Sequence, residues 1–502
     1  MSEGANLAGL LFGGSDPSGA ARAEGDPDAV LVTAGSVQRT RGEIRAEAEV
    51  VADRLAALGV EPGQVVGVRL PSGPAVVAAL FGVWRAGAVY LPLNPRLTAG
   101  EIDRILEQVR PAALIDEDGI GLVGSGPLSG AEPPARHGAD IALIQFTSGT
   151  TGRPKAVLLT HSGVRELIDG VLGTLRGPAP SGAPAESRSH APMPNLVPLS
   201  LSLWAGIYNV LFALVVGAGV VILDPFTPRE FAEVVARFSI RSTVLPPAAM
   251  TMLCDDPDIV DLDPLRYVRS ITAPLSPVQA RRFHDRFGVA VLNGYGQTEI
   301  GGEIVGWSVA DWRAWGESKL GSVGRPHRGV TVRAVDAVGH DVTGDATGEL
   351  WVQTPALSAG YADGAELGDR LTPDGWFRTG DVGRVDDDGF VWIEGRLSDM
   401  INRGGLKVSP DEVAEVIRLS PAVADVAVVG VPDERLGQVP WAFVVGVDGP
   451  LDALARDELG AHCRQHLAPY KVPVRFEAVA ALPRNEIGKV LTAELVRLAQ
   501  AA

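Results

Sequence analysis

Cysteine is scarce in this chain. Only Cys254 and Cys463 occur among 502 residues, so no disulfide framework is expected and a reducing, cytoplasmic setting fits. An excess of basic residues is also missing. The 44 Lys and Arg stand against 61 Asp and Glu, a formal charge of −17. Nucleic-acid binding rests on neutralising phosphates with cations, so no nucleic-acid partner is expected, although local cationic sites for a nucleotide are not excluded. Long hydrophobic runs are lacking too. The longest candidate, residues 203–223, is broken by Gly206, Asn209, Gly217 and Gly219 and ended by Asp224-Pro225. It reads as a buried helix followed by a buried strand, not as a membrane span. The opening MSEGANLAGLLFGG has no basic segment ahead of its apolar run, and Glu3 stands where a cation belongs; a signal peptide is not expected. No internal repeat is visible.

What is present is 46% hydrophobic residues, enough for several cores, in a chain too long for one. Roughly two to four domains or subdomains are expected. Residues 1–27 read as a loose arm rich in Gly and Ala. Residues 29–115 alternate strand and helix: strand 29–33, helix 41–58 stopped by Gly59, strand 65–70, helix 73–85, strand 87–91, then a helix capped by Thr98 with Glu101 at capping-box spacing, then strand 112–115. Residues 176–189 form a Pro/Ser/Gly-rich loop. A second alternation covers helix 203–215, strand 219–223, helix 228–238 and strand 242–245. Two α/β halves in series leave a cleft where ligands usually bind. From about residue 324 short strands (330–335, 348–353, 382–386, 389–394) build a small β subdomain. Ser409-Pro410-Asp411-Glu412 then starts a helix with cap, proline and first-turn acids. It opens a compact α+β domain of about one hundred residues.

The most informative stretch is FTSGTTGRPK, residues 146–155, flanked by strand-like segments. Thr147, Ser148, Thr150 and Thr151 supply hydroxyl donors. Gly149 and Gly152 let backbone N–H groups close on an anion, and Lys155 adds a charge that reaches outer phosphates. The loop is suited to a polyphosphate. It is not a Walker A loop, because Lys155 comes three residues after Gly152 and a strand follows instead of a helix.

This string resembles the phosphate-binding signature of the adenylate-forming superfamily: acyl- and aryl-CoA synthetases, luciferases and the adenylation domains of peptide synthetases. Four further stretches match that family in order. NGYGQTE (Asn293, Gly294, Tyr295, Gly296, then Thr298 and Glu299) resembles its purine motif. By that resemblance Tyr295 faces adenine, Thr298 donates to phosphate and Glu299 ligates Mg2+, a hard cation suited to carboxylate oxygen; Ala273-Pro274 packs on the other side of adenine. GWFRTGD places Asp381 on the ribose hydroxyls. EGRLSDMINRGG resembles the interdomain linker, with Arg396 near ribose and phosphates, either Ser398 or Asp399 as pivot, and Gly404-Gly405 beside a tunnel for the acceptor. LPRNEIGK places the catalytic lysine at Lys489, a cation for the charge that builds at the α-phosphate.

The resemblance implies a large N-terminal domain, residues 1–395, of two α/β subdomains plus a small β subdomain. A hinge at 396–399 and a small mobile α+β domain at 400–502 follow. It also implies ATP and Mg2+, a carboxylic acid activated as its adenylate with loss of pyrophosphate, and CoA as co-substrate, or alternatively an amine acceptor. The oligomeric state is left open. The acid pocket is expected around Leu199, Ser200, Trp204, Gly301 and Gly302. Adenylation domains for amino acids place an Asp near Ser200, so an α-amino acid is not expected. No Arg or Lys falls in residues 195–204, 271–276 or 294–302, which argues against a dicarboxylate. Leu199-Ser200-Leu201 replaces the aromatic-His pair of many acyl-CoA synthetases. With Gly301, Gly302 and Ala273 small, an aryl or cyclic/medium-chain acid is expected. Glu349, Trp307, Trp312 and Trp315 read as structural, as do His161, His190, His284 and His327, which have no metal or triad spacing.

Overall fold

Short apolar strands followed by helices build the sheets of the N-terminal region. Val65–Val68 and Val89–Pro92 are buried at every position, the pattern of parallel strands covered on both faces. They lie inside a six-stranded sheet in the order Gly119–Leu122, Ala113–Asp116, Val65–Val68, Val89–Pro92, Ile141–Thr147, Lys155–Thr160. The inner strands run parallel and each edge strand pairs antiparallel with its neighbour. The computed structural model describes residues 6–13, 25–123, 133–147, 154–176, 192–344, 346–365, 367–447, 449, 452–484 and 490–501.

A second sheet has the order Ser242–Val244, Tyr267–Ser270, Ala290–Gln297, Gly302–Gly306, Arg325–Pro326, parallel at first and antiparallel from Ala290–Gln297 onward. A four-stranded sheet joins the two halves. Its strand Val30–Ala34 pairs in parallel with Val220–Ile222, which in turn pairs with Asn195–Val197. The halves expected to follow one another in series are therefore interleaved. Helix starts follow their local chemistry. Thr40, Thr98 and Ser276 each form a capping box with the Glu or Gln three residues on, a device worth about 1 kcal/mol per helix.

The antiparallel sheet of Asp341–Val342, Thr331–Val335, Gly348–Gln353, Phe377–Val385 and Val391–Arg396 is the expected β subdomain. Its last strand ends at Arg396, and the next sheet starts at Ile401–Arg403. That last sheet packs helix Pro410–Arg418 over Val423–Asp433 and Gly437–Gly446. Ser409 caps this helix through the Glu412 N–H at 3.2 Å.

A second expectation also fails. Part of the supposed N-terminal arm is docked: Gly9–Phe12 is helical, and Leu7, Leu10 and Leu11 are buried. The run LAGLLF is apolar enough to cover the helices Arg41–Ala57 and Trp204–Val215, and the Leu7 N–H donates to His161 Nδ1 at 3.2 Å. Burial lowers the His161 pKa to about 4, so the ring stays neutral and can accept that bond. The loop expected at 176–189 lies, after its first residue, outside the described residues. Among the described residues no helix is long and apolar enough to cross a membrane.

Candidate active site

The hairpin Ile141–Thr147 and Lys155–Thr160 brings Thr147 and Lys155 opposite one another at its mouth. Ser148, Gly149, Thr150, Thr151 and Gly152, between them, lie outside the described residues. Lys155 Nζ stands 5.1 Å from the centre of the Tyr361 ring, and Tyr361 bridges to Val157 on the same hairpin.

NGYGQTE is not the turn its glycines suggest. Residues through Gln297 continue the strand Ala290–Gln297, and Thr298–Ile300 forms a single 3-10 turn. Strand alternation then sorts the motif. Tyr295 and Gln297 face one way, Gly294 and Gly296 the other. On the first face the Tyr295 hydroxyl donates to Asp381 Oδ2 at 2.6 Å, and Gln297 Nε2 donates to the same oxygen at 2.7 Å. Arg396 Nε lies 2.9 Å from Asp381 Oδ1. Burial and the adjacent Asp381 carboxylate push the Tyr295 hydroxyl well above its usual pKa, so it remains a donor at neutral pH. Asp381 itself is 3% exposed. Three motifs, the first two 86 residues apart, thus meet at one carboxylate.

Glu299 is buried at the end of the same motif. Arg370 Nη1 stands 3.3 Å from its Oε1. Arg370 also donates to Gln297 Oε1 at 2.9 Å and to the Thr379 carbonyl at 3.0 Å, over the Phe377 ring. A buried carboxylate balanced by a single guanidinium offers the oxygen ligands that a hard cation takes. Glu299 thus fits Mg2+ by its chemistry, with Thr298 beside it on the half-exposed side. Gln297 and Arg370 escaped the sequence reading. Gln297 shares strand parity with Tyr295, a usable signal. Arg370 comes from a short 3-10 turn, Gly368–Arg370, and no local pattern marks it.

The segment holding Ala273 and Pro274 follows the strand Tyr267–Ser270 and ends at the Ser276 cap. Just before it Thr272 has φ +78°, a left-handed conformation that costs a β-branched residue energy and often marks a functional loop.

At the expected acid pocket, Trp204 Nε1 donates to the Gly301 carbonyl at 2.7 Å. Leu199 and Trp204 are buried, and Ser200 shares a hydrogen bond with Ser202 at 3.0 Å. The loop is pinned from outside: Leu201 N–H donates to Ser72 Oγ, whose own hydroxyl donates to Asp224. Gly301 and Gly302 have φ of +87° and +137°. Their bare backbone is used for close packing as well as for room. A Cβ on Gly302 would meet Trp204 Nε1 at 3.0 Å and Leu167 at 3.1 Å.

Gly404 and Gly405 form the tight turn between Ile401–Arg403 and Leu406–Val408, with φ +60° and +91°. Ser398 and Asp399 are exposed and hydrogen-bonded to each other. Lys489 lies outside the described residues. The structural readings hold where described: Glu349 accepts from Trp351 and Arg378, and Trp307, Trp312 and Trp315 pack with Phe390. No group of His, Cys, Asp and Glu with metal-site geometry occurs among the described residues.

Comparison with known proteins agrees with this geometry. The AMP-binding enzyme family matches residues 20–362, and the AMP-binding enzyme C-terminal domain matches residues 412–489. A feruloyl-CoA synthase from an Amycolatopsis species is 33% identical over 494 residues, covering 95% of this chain and 97% of that protein. Among solved structures, ATP-bound MatB from Rhodopseudomonas palustris aligns with a TM-score of 0.83 at 27% identity, and the amide bond synthetase McbA from Marinactinospora thermotolerans with 0.82 at 26%; each alignment covers 99% of both chains. With the family matched over most of its length, the chain belongs to the AMP-binding, adenylate-forming enzymes and is an AMP-forming ligase of their acyl-CoA ligase branch.

Proposed function

We propose that the enzyme joins an aryl or cyclic/medium-chain carboxylic acid to AMP and then transfers the acyl group to the thiol of CoA. In the first half-reaction a carboxylate oxygen attacks the α-phosphorus of ATP, the bond to the β-phosphate breaks, and pyrophosphate leaves. In the second the thiol attacks the acyl carbonyl, AMP leaves with the bonding pair, and the thiol proton passes to solvent. The observation that carries this reading is the convergence of Tyr295, Gln297 and Arg396 on the buried Asp381. A carboxylate so held is poised to accept both ribose hydroxyls while the Tyr295 ring flanks the purine.

In this reading Thr147, residues 148–152 and Lys155 hold the β- and γ-phosphates, and Thr298 holds the α-phosphate. Mg2+ at Glu299 would offset phosphate charge, releasing Arg370 toward Gln297 and the Thr379 carbonyl. Residues 396–399 act as the hinge between a large domain, 1–395, and a small one, 400–502. Leu397, Ser398 and Asp399 are all exposed, so rotation there breaks little packing. Lys489 reaches the carboxylate and α-phosphate from the small domain, and the Gly404-Gly405 turn borders the acceptor route. The two cysteines are free and buried, which suits a reducing cytoplasm.

The feruloyl-CoA synthase relative supports an aromatic acid and CoA. A second reading, amide formation by an amine that captures the adenylate, is favoured by the likeness to McbA and by Leu199-Ser200-Leu201 in place of an aromatic-His pair. Both readings share the first half-reaction. The test is pyrophosphate release from ATP and Mg2+ across a panel of aromatic and aliphatic acids. Release is expected to require the acid and to be greatest with aryl acids. Release independent of any acid would overturn the proposal.

A further inference from the structure

On the face of Ala290–Gln297 opposite Tyr295, a buried polar group has no counterpart in the motifs. Glu303, one residue past Gly302, pairs with Arg269 across the strand Ala290–Gln297, which lies between their own two strands. Its side chain is 8% exposed and that of Arg269 18%. Arg269 lies just outside the expected pocket segments, two residues before the one that begins at 271. The space for this pair comes from missing side chains. Gly294 and Gly306 stand opposite in register, and a Cβ on either would meet Glu303 Oε1 at 2.8 or 2.6 Å. His327 Nε2 lies 3.4 Å from the same carboxylate, while its Nδ1 bonds Thr174 Oγ1 at 3.0 Å. The Tyr208 hydroxyl, one helical turn beyond Trp204 on Trp204–Val215, lies beside Arg269 and Glu303. It is buried without a well-formed hydrogen bond, as is His327 Nε2. A small cavity with room for about one water touches Glu303, His327 and Leu167.

Buried polar groups are normally satisfied, and two without well-formed hydrogen bonds beside an ion pair call for an explanation. Trp204 leads from the expected pocket to Tyr208, their rings 5.9 Å apart. Glu303 follows directly on Gly302, a pocket residue. We propose that Tyr208, Arg269 and Glu303 form the far wall of the acid pocket and select an acid whose distal end carries a neutral hydroxyl. This rests on the adenylation reading above. The charges decide the class. Arg269 is already compensated by Glu303, and a second substrate carboxylate would face Glu303 as a like charge. Arg269 holds the Glu303 carboxyl down to about 2 against the opposing effect of burial, so it is ionised and accepting at assay pH. A substrate hydroxyl donates to Glu303 and accepts from Tyr208. An acid without the hydroxyl leaves those groups unpaired, the situation in which polar sites discriminate well.

The test compares cinnamic acid with para-hydroxycinnamic acid on the full-length enzyme, using pyrophosphate release. The wild type is expected to favour the hydroxylated acid at least about tenfold in kcat/KM. Tyr208→Phe and Glu303→Gln are expected to bring the ratio to within about threefold. Tyr208→Phe removes one oxygen that makes no well-formed hydrogen bond, and a ratio taken on one preparation is insensitive to any unfolded fraction. A ratio near one in the wild type, or a ratio unchanged in both variants, overturns the proposal. Equilibrium binding of the two acids, read by tryptophan fluorescence, separates the failures. Preferential binding of the hydroxylated acid without turnover supports this wall and counts against adenylation. Equal binding with turnover counts against the wall alone.

Discussion

Lys489→Ala is expected to slow acid-dependent pyrophosphate release by about a hundred- to a thousand-fold, with ATP affinity changed less than about threefold. The reasoning is electrostatic. In the structure Arg396 is committed to Asp381 and Arg370 to Glu299, while Lys155 stands over Tyr361 at the mouth of the phosphate hairpin. In the proposed reading these cations serve the ribose-binding carboxylate Asp381, the metal-binding carboxylate Glu299 and the outer phosphates, all of which carry charge before reaction. The charge that builds between the incoming carboxylate and the α-phosphate needs a donor of its own. In the proposed reading LPRNEIGK supplies one from the small domain, and a group that arrives by rotation would contribute to the transition state more than to ATP binding. Single-turnover adenylate formation and nucleotide binding, measured on the same variant, separate the two effects. An adenylation rate equal to that of the wild type would remove Lys489 from the chemistry.

Asp381→Asn has the opposite signature. Each hydrogen bond to an ionised acceptor is worth about 1.5–3 kcal/mol, and the proposed role gives Asp381 two such bonds to ribose. The KM for ATP is therefore expected to rise about a hundredfold, with kcat reduced less. The same carboxylate also satisfies the Tyr295 hydroxyl, Gln297 Nε2 and Arg396 Nε. The amide keeps one acceptor oxygen but no charge, so Arg396 loses its ionic partner and the melting temperature is expected to fall by a few degrees, in line with roughly 1–2 kcal/mol. An unchanged KM with a lowered melting temperature would make Asp381 purely structural.

Local signals made much of this legible in advance. The helix at Arg41–Ala57, the capping box at Thr98 and the cap and proline at Ser409-Pro410 concern neighbours in sequence, and the structure places those elements within a few residues of expectation. The family was legible because each of its motifs is a long contiguous string. Three things were not. The parallel pairing of Val30–Ala34 with Val220–Ile222 joins strands almost two hundred residues apart, and no local pattern encodes such a partner. Arg370 reaches Glu299 from an irregular turn. The Arg269–Glu303 pair looks, in sequence, like two unrelated polar residues at strand ends; only the register that sets Gly294 against Gly306 reveals the space it fills. The docking of Leu7, Leu10 and Leu11 was hidden by the glycine and alanine around them, which read as a loose arm.

The central claim is that an acyl-adenylate forms in this site and passes to a thiol. The most direct measurement is mass spectrometry of a reaction holding the enzyme, ATP, Mg2+, an aryl acid, CoA and a simple amine together. The account predicts AMP, pyrophosphate and an acyl-CoA, with the acyl-adenylate accumulating when CoA is left out. Amide in place of thioester, with CoA in excess, would contradict the thiol as acceptor and reassign the Gly404-Gly405 route to an amine. No adenylate with any acid would contradict the account at its root.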